Sequence, residues 1–235
     1  MDNIYKTGEY LHQTGGTWHS EDSYWKAAQV LRILKENHIQ PKTVGEIGCG
    51  AGRILIELSK HEYLRDCQFE GYDISPQAID LCEKNVKNCN FFCSNDFIEK
   101  FDNVKQFDVL LVIDVFEHVP DYMGFVEKCC RLAEYKIYHI PLDIHVSSVL
   151  RNAFIHTRYS IGHLHYFTAD SALATLKDTG HQLVSYFYTS AFGVFTQHPK
   201  VKTAVANCIR WFFSRFSLPL TSRIFGGYSL LVLTK

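Results

Sequence analysis

Two side chains that can bind a ligand or accept a proton, Asp73 and His118, lie at or just after the ends of predicted strands. Asp73 lies 21 residues after Gly52, close to the spacing at which nucleotide sites place an acidic residue on the ribose hydroxyls. Its two carboxylate oxygens match two neighbouring hydroxyl donors. His118 follows a long apolar segment and is the group there that titrates near neutral pH. The pair predicts a nucleotide-like ligand beside a proton acceptor, although Asp73 could instead only begin the turn at Ser75 and Pro76.

A turn with three glycines, Gly48, Gly50 and Gly52, joins a predicted strand at 43–47 to a helix that begins at Arg53. Glycine has no Cβ, so a ligand can lie against such a turn, near the N–H groups of the helix start. A dinucleotide-binding turn needs its third glycine one position later, where Arg53 stands. The turn therefore disfavours NAD as the cofactor, and its structural alternative is a tight connection without a ligand.

The segment Glu46-Ile47-Gly48-Cys49-Gly50-Ala51-Gly52 resembles the first motif of the class I S-adenosylmethionine (SAM)-dependent methyltransferases, of the small-molecule type grouped as methyltransferase-11, -12 and -23. The resemblance implies SAM as the cofactor. It also implies that Asp96 accepts from the adenine amino group and that the backbone N–H of Phe97 meets the ring. The SAM-binding residues implied in this way are Trp18, Glu46, Gly48, Gly50, Gly52, Asp73, Ile74, Asp96, Phe97 and Asp114.

The strand end at 114–119 resembles the family's fourth motif, in which a Glu-His-Val element reaches the methyl acceptor. His118 is therefore the first candidate for the base that takes a proton from a hydroxyl acceptor. The segment 162–168 resembles an H-x-x-F-T element that shapes the acceptor pocket in many relatives, and ordering of the loop is its structural alternative. The implied catalytic residues are His118, His163 and His165, and the implied acceptor-binding residues are His19, Trp25, His145 and Tyr166.

The front of the chain combines a polar, aromatic segment at 10–19 with a helix capped by Ser20 or Asp22. Apolar residues of this helix recur at steps of three and four, which indicates packing on the sheet. The whole front extension resembles those that close over the cofactor in many small-molecule methyltransferases. Core packing and a lid both remain open for this region.

Predicted strands and helices alternate along the chain, which is typical of an α/β fold. The strand at 107–115 is a nearly continuous apolar run, as expected for a central parallel strand covered on both faces. The family resemblance implies the fold class, a Rossmann-like seven-stranded, mostly parallel sheet in the order 3-2-1-4-5-7-6, with helices on both faces and an antiparallel last strand. We expect an N-terminal lid and helix at 1–42 and a SAM-binding domain at 43–235, with acceptor-pocket insertions at 141–167 and 189–227.

Composition narrows the class of protein. The chain has 24 basic and 25 acidic residues, so it carries no overall field that attracts nucleic acid, and we expect no nucleic-acid partner. Its eight cysteines fall within predicted strands and helices of a long chain, which favours free thiols. The sequence shows neither the regions of a signal peptide nor an apolar run of ~18 residues. We therefore expect a cytoplasmic protein.

No metal site is predicted. Four histidines, His145, His156, His163 and His165, precede the helix at 168–177, but they offer only a loose H-x-H pair and no clear carboxylate partner.

Residues 199–216 place apolar side chains at steps of three and four opposite a polar, partly basic face, which predicts an amphipathic helix. A basic helix that carries Trp and Phe can lie on a membrane surface or reach a lipid-linked acceptor. An apolar helix face inserted between two strands more often packs on its own domain or caps its pocket. We favour that second interpretation.

Together these patterns predict a SAM-dependent methyltransferase that acts on an oxygen or nitrogen of a small-molecule acceptor, such as a sugar or glycan precursor or a secondary metabolite. Two alternatives stay open. One is a nicotinamide-dependent oxidoreductase of Rossmann type, and the other is a non-catalytic SAM-fold module that docks on membranes through residues 199–216.

Overall fold

The computed structural model describes residues 20–82, 86–94, 106–190 and 201–235. Four predicted site residues, Trp18, His19, Asp96 and Phe97, lie outside the described residues. The segment predicted as a lid, 10–19, also lies outside them, so the lid and the division of the chain at residue 42 stay predictions.

Seven strands and nine α-helices make up the described part of the chain. The strands are β1 Thr43–Ile47, β2 Gln68–Asp73, β3 Cys89–Cys93, β4 Phe107–Ile113, β5 Ala133–Pro141, β6 Leu183–Thr189 and β7 Ser229–Thr234. The α-helices are α1 Ser23–Glu36, α2 Arg53–Ser59, α3 Pro76–Asp80, α4 Tyr122–Leu132, α5 Val146–Leu150, α6 Ala153–Ile161, α7 Ala169–Asp178, α8 Val201–Ser214 and α9 Leu218–Phe225. Short 3₁₀ helices cover Ser20–Asp22, Glu62–Leu64 and Phe116–His118.

The strands form one sheet in the order β3-β2-β1-β4-β5-β7-β6. Neighbours from β3 through β5 are parallel, and β7 runs antiparallel to both β5 and β6. This arrangement confirms the predicted fold class and strand order. β5 already begins at Ala133, since Ala133 and Tyr135 pair with β4.

Side chains that alternate along the strands fill two apolar clusters. On β4, Leu110 and Val112 belong to one cluster, whereas Val109 and Leu111 belong to the other. Successive side chains of a strand point to opposite faces, so the two clusters lie on opposite faces of the sheet. The central strands are therefore buried on both sides, as a parallel sheet requires.

Helix α1 packs into the core. Its residues Val30, Ile33 and Leu34 are buried, and they share a cluster with Val44 of β1. Of the two possibilities left open for this helix, core packing is the one that its apolar face adopts.

One edge of the sheet collects most of the connections. The carboxyl ends of β1, β2, β4 and β5 meet there because these strands are parallel. β6 ends at the same edge and β7 begins there, since β7 is antiparallel to both of its neighbours. The segment with α5 and α6 and the segment with α8 and α9 therefore both leave the sheet at this edge, which is where open α/β sheets bind ligands.

Helix α8 matches the predicted amphipathic helix, but its apolar face does not pack on the domain. None of the described side chains at 203–214 is buried, and Val205 and Phe212 are more than half exposed, at 53% and 54%. The favoured sequence interpretation is therefore wrong on this point. Because other helices already cover both faces of the sheet, α8 contacts α9 instead, through the rings of Phe213 and Phe225 at 5.2 Å.

Within the ranges that the structure describes, no helix is long and apolar enough to cross a bilayer.

A buried histidine far from the carboxyl edge is held in its neutral form. The hydroxyl of Thr179 donates to the Thr175 carbonyl at 2.8 Å, so it accepts from Nδ1 of His181 at 3.2 Å. Nε2 of His181 then accepts from the Tyr138 hydroxyl at 2.7 Å. Burial, followed by the charge of Lys136, lowers the pKa of His181 to about 4.

This histidine predicts a loss of stability in mild acid. An unfolded chain binds the His181 proton near pH 6.5, whereas the folded chain binds it only near pH 4, so protons favour the unfolded state between these values. We expect this group to lower the free energy of unfolding by up to about 3 kcal/mol as the pH falls from about 6.5 to about 4. Urea unfolding across this range measures the slope.

The matched comparison replaces His181 by Gln and, as a control, the exposed His156 by Gln. The slope should become shallower in His181→Gln and stay unchanged in His156→Gln. Equal slopes in all three proteins would remove His181 as the cause.

Candidate functional site

The turn after β1 holds all three of its glycines at positive φ, +73° for Gly48, +54° for Gly50 and +69° for Gly52. Other residues adopt this conformation only at a cost. The N–H groups of Gly48 and Cys49 both donate to the Tyr72 carbonyl, at 2.8 and 3.1 Å. The turn is thus fastened to the end of β2.

Two of these glycines make room for protein side chains. A Cβ on Gly48 would lie 2.6 Å from Cγ2 of Val115, and a Cβ on Gly52 would overlap the ring of Phe91. The expectation that glycine serves ligand approach therefore does not explain these two positions. Close packing brings the segment after β4 and the strand β3 directly against the turn.

Asp73 ends β2 beside the glycine turn. Its Oδ2 accepts from the N–H of Gly50 at 2.9 Å, and its Oδ1 accepts from the N–H of Ser75 at 2.9 Å. The side chain is 8% exposed, and burial raises its pKa although the two N–H groups oppose the shift. Each carboxylate oxygen has a second lone pair, so Asp73 can still accept hydrogen bonds from a ligand. Ile74 follows it and is partly buried.

Glu46 on β1 is a second buried carboxylate near this turn. It is 1% exposed, and its Oε2 has no hydrogen-bond partner among the described residues. Burial raises the pKa of Glu46 well above its usual value, and the charge of Lys26 only partly opposes the shift. An unsatisfied buried carboxylate is costly, so this oxygen suits a ligand that brings a hydrogen-bond donor.

Asp114, directly after β4, binds two basic side chains at once. Its Oδ2 lies 2.8 Å from Nζ of Lys26, and its Oδ1 lies 2.6 Å from Nδ1 of His139. The other ring nitrogen of His139 contacts Oγ1 of Thr189 at 2.9 Å. This chain of polar contacts connects α1 with the ends of β4, β5 and β6.

The charges of this network support one another. Burial would raise the pKa of Asp114, but His139 and Lys26 outweigh it and hold that pKa well below its usual range. Burial would lower the pKa of Lys26, but Asp114 and Asp22 raise it above its usual value. Asp114 is thus ionised and Lys26 protonated at neutral pH. Trp25, predicted to bind the acceptor, sets its ring edge-on to His139 at 6.0 Å.

The 3₁₀ turn after β4 and the loop before α7 bring two predicted catalytic histidines together. The rings of His118 and His163 lie 4.8 Å apart. Nδ1 of His118 donates to the Gly162 carbonyl at 3.0 Å, and Nδ1 of His163 donates to Oδ2 of Asp143 at 2.6 Å. Because both Nδ1 atoms are donors, each neutral ring presents Nε2 as an acceptor.

Glu117 completes this cluster. It is fully buried, and neither carboxylate oxygen has a hydrogen-bond partner among the described residues. Burial raises its pKa well above the usual value, and Asp114 adds to the shift. Burial and His163 lower the pKa of His118 to about 4. Burial thus disfavours the charged form of both Glu117 and His118.

Glu117, His118 and His163 also have the composition of a cation site. One ligand atom from each lies within 4.8 Å of the others, the only such grouping found among the described residues. Two imidazoles and a carboxylate suit several divalent transition metals, so this cluster can hold either a shared proton or a cation.

The third predicted catalytic residue, His165, and two predicted acceptor-binding residues, Tyr166 and His145, order the loops around the cluster. Nε2 of His165 contacts the Val119 and Pro120 carbonyls at 3.0 and 3.2 Å. The hydroxyl of Tyr166 donates to the Phe154 carbonyl at 2.7 Å. His145 caps α5, where its Nδ1 accepts from the N–H of Ser148 at 3.1 Å. The structure does not bring these three side chains into the His118–His163 contact.

The residues singled out from the sequence as site residues do not include Lys26, Glu117, His139 or Asp143. Asp114 and Glu117 both lie within the fourth motif, so the sequence does contain a signal for Glu117 as a second carboxylate of the site. Asp143 is 20 residues before His163, and only the path of α5 and α6 brings the two together. No signal in the sequence marks that pair.

Comparison with known proteins identifies the domain. Residues 46–134 match the family model described as a methyltransferase domain. The ubiquinone biosynthesis O-methyltransferase of Actinobacillus pleuropneumoniae is 23% identical over 148 residues, which cover 56% of this chain and 62% of that protein. This chain thus spans less than two thirds of that relative. The human tRNA N(3)-cytidine methyltransferase METTL6 is 27% identical over 203 residues, which cover 76% of this chain and 69% of that protein.

Solved structures agree on the fold. The plantazolicin methyltransferase BpumL in complex with SAH aligns with a TM-score of 0.62 at 18% identity, over 97% of this chain and 90% of that chain. The glycine motif, the strand order and these matches lead to one conclusion. Residues 46–134 match a methyltransferase domain, and the chain is similar to class I SAM-dependent methyltransferases, whose cofactor is SAM.

Proposed function

We propose that this protein transfers a methyl group from SAM to an oxygen or nitrogen of a small-molecule acceptor. The observation that carries the proposal is the packing of Val115 against Gly48. This contact sets the turn with Glu117 and His118 directly beside the glycine loop. A proton-accepting cluster and a nucleotide-type loop thus share the carboxyl edge of the sheet.

The residues beside the loop fit SAM. Asp73 has lone pairs for the two ribose hydroxyls, and its position is already fixed by the N–H groups of Gly50 and Ser75. The unsatisfied Oε2 of Glu46 fits the positively charged amino group of the methionine part. Asp96, Phe97 and Trp18 remain proposed contacts by family resemblance.

Bound SAM supplies a methyl group on a positively charged sulfur, which an acceptor attacks in line. The protein's share is to position the acceptor and to remove its proton, and positioning alone is worth ~7–11 kcal/mol in favourable cases. Asp114, held between Lys26 and His139, fixes the strand end that faces this step. Trp25 beside His139 is placed to contact the acceptor.

Proton removal falls to the pair His118 and His163. Asp143 holds His163 with Nε2 as its acceptor nitrogen, which is how a carboxylate prepares a histidine for general-base catalysis. Burial and His163 lower the pKa of His118 to about 4, which corrects the near-neutral value expected from the sequence. His118 is uncharged at pH 7 but is a weaker base than an ordinary imidazole. His165 acts on the loop, since its Nε2 contacts backbone carbonyls.

The acceptor class is a proposal with named competitors. One relative is named for ubiquinone biosynthesis and another for tRNA, so both small molecules and RNA belong in a test. We favour a small molecule, with a sugar, a glycan precursor or a secondary metabolite as the first candidates. A screen with SAM labelled at the methyl group tests the activity, and label transfer only to RNA would contradict the acceptor class.

The cofactor assignment predicts the effect of Asp73→Ala. Removing a charged hydrogen-bond acceptor should weaken SAM binding by about 1.5–3 kcal/mol. Isothermal titration calorimetry with SAM measures the loss, and titration with NAD should show no binding. Asp66→Ala is the control, because Asp66 is an exposed carboxylate paired only with Arg65. Equal SAM affinity in a folded Asp73→Ala protein would return Asp73 to a turn residue.

If His118 and His163 remove the acceptor proton, a substitution of either residue should lower the rate of methyl transfer without weakening SAM binding. His118→Ala and His163→Ala should each lower turnover of a hydroxyl acceptor by ~100- to 10,000-fold and leave SAM affinity nearly intact. Single-turnover kinetics and melting curves on each variant measure the two effects. His156→Ala on the exposed face of α6 serves as the control. Full activity in either folded variant would rule that histidine out as the base.

The prediction that the protein binds no metal ion can also be tested. The sequence offers only a loose H-x-H pair, so we expect no bound cation, although Glu117, His118 and His163 lie close enough to hold one. Electron paramagnetic resonance of the protein with added Mn²⁺ should then show the signal of free Mn²⁺. A bound signal in the unaltered protein that disappears in Glu117→Gln would instead make the cluster a metal site.

A further inference from the structure

Positive charge is concentrated in two segments of this nearly neutral chain. Residues 144–167 and 189–227 contain seven of the 24 basic residues and none of the 25 acidic ones. The rest of the chain is correspondingly acidic. Both segments leave the sheet at its carboxyl edge. The side chains described among these seven lie on or next to the helices that follow that edge, and they are Arg151, Arg158, Arg210, Arg215 and Arg223.

The same segments expose apolar side chains in a regular stripe. Val205, Ile209, Phe212 and Phe216 follow one face of the helix region that begins with α8, and they are 53%, 39%, 54% and 76% exposed. Trp211 is 57% exposed beside them. A stripe of this kind on a monomeric protein is usually covered by a partner or a membrane.

Neighbouring helices extend the apolar surface. α8 contacts α9, α9 contacts α5, and α5 contacts α6. Leu150 on the border of α5 is 80% exposed, Tyr159 on α6 is 66% exposed and Leu220 on α9 is 55% exposed. We call these four helices, with residues 215–217 between α8 and α9, the basic apolar surface.

Cationic groups lie beside the apolar ones. The guanidinium of Arg215 stands 5.1 Å from the Trp211 ring centroid, and both side chains are exposed. Arg151 is exposed next to Leu150. Arg and Trp side chains of this kind place an apolar body in lipid while the polar tip stays at the headgroups.

We propose that the basic apolar surface docks on an anionic membrane surface. Apolar rings enter the headgroup boundary, and the exposed Arg151 and Arg215 pair with anionic lipid headgroups. Helices at such an interface lie in the membrane plane with their apolar face toward the lipid. Nucleic acid is the less suitable partner, since the stripe also exposes aliphatic Val205, Ile209, Leu150 and Leu220, which offer bases and phosphates no specific contact.

Flotation with vesicles tests the proposal without any methyl-transfer assay. The full chain is mixed with vesicles of phosphatidylcholine and phosphatidylglycerol, or of phosphatidylcholine alone. We expect binding to the anionic vesicles, weaker binding to the neutral ones, and a decrease at high salt. Failure to bind anionic vesicles at low salt would overturn the proposal and leave the proposed methyl transfer untouched.

Matched variants locate the surface. Arg215→Glu should weaken binding to the anionic vesicles by about tenfold or more, and the double variant Phe212→Ser, Phe216→Ser should do the same by loss of apolar contact. Arg65→Glu and Val184→Ser are the controls, because these exposed residues lie near the starts of β2 and β6, at the opposite edge of the sheet. Both controls should bind like the unaltered protein.

Melting curves complete the test. All four variants should melt like the unaltered protein, since the substituted side chains are exposed. Equal loss of binding in Arg65→Glu and Arg215→Glu would indicate attraction by overall charge and overturn the assigned surface. Binding of RNA that is lost in Arg215→Glu, without binding to vesicles, would reassign the surface to nucleic acid.

Discussion

The partly buried carboxylate of Asp114 is the contact on which the site depends. It stands at positive φ, +53°, directly after the central strand, and holds Lys26 and His139 at 2.8 and 2.6 Å. A partly buried carboxylate without partners would be costly, so α1, β4 and β5 are fixed relative to one another. The fixed position of Asp114 therefore determines where the next residues, from Val115 to His118, leave the sheet.

Close packing of glycine extends the same constraint to the cofactor loop. Gly48 admits Val115 and Gly52 admits Phe91, so the loop, β3 and the turn after β4 have fixed distances. A larger residue at Gly48 would push the turn after β4 away from the glycine loop, and one at Gly52 would push β3 away from it. The close packing at these two glycines therefore aligns the three segments.

The sequence was informative where local pattern decides structure. The glycine turn, Asp73 at a strand end and the apolar run of β4 predicted the fold and its order through family resemblance. Asp143 and His163 escaped prediction because their contact depends on the tertiary path of α5 and α6. The exposed face of α8 was misjudged because amphipathic spacing indicates an apolar face but not what covers it.

The exposed face of α8 shows how a protein of this fold can present a different surface to a partner without a change in its core. No described side chain of 203–214 is buried, so these residues contribute little to the free energy of unfolding and can vary without loss of the core. Because β7 is antiparallel, the excursion from β6 begins and ends at the carboxyl edge. A segment placed there alters what approaches the site while the sheet and Asp114 stay unchanged. Because the described part of the domain leaves the apolar side chains of α8 exposed, a surface outside the domain is what would bury them, which is the physical reason to look for a membrane there.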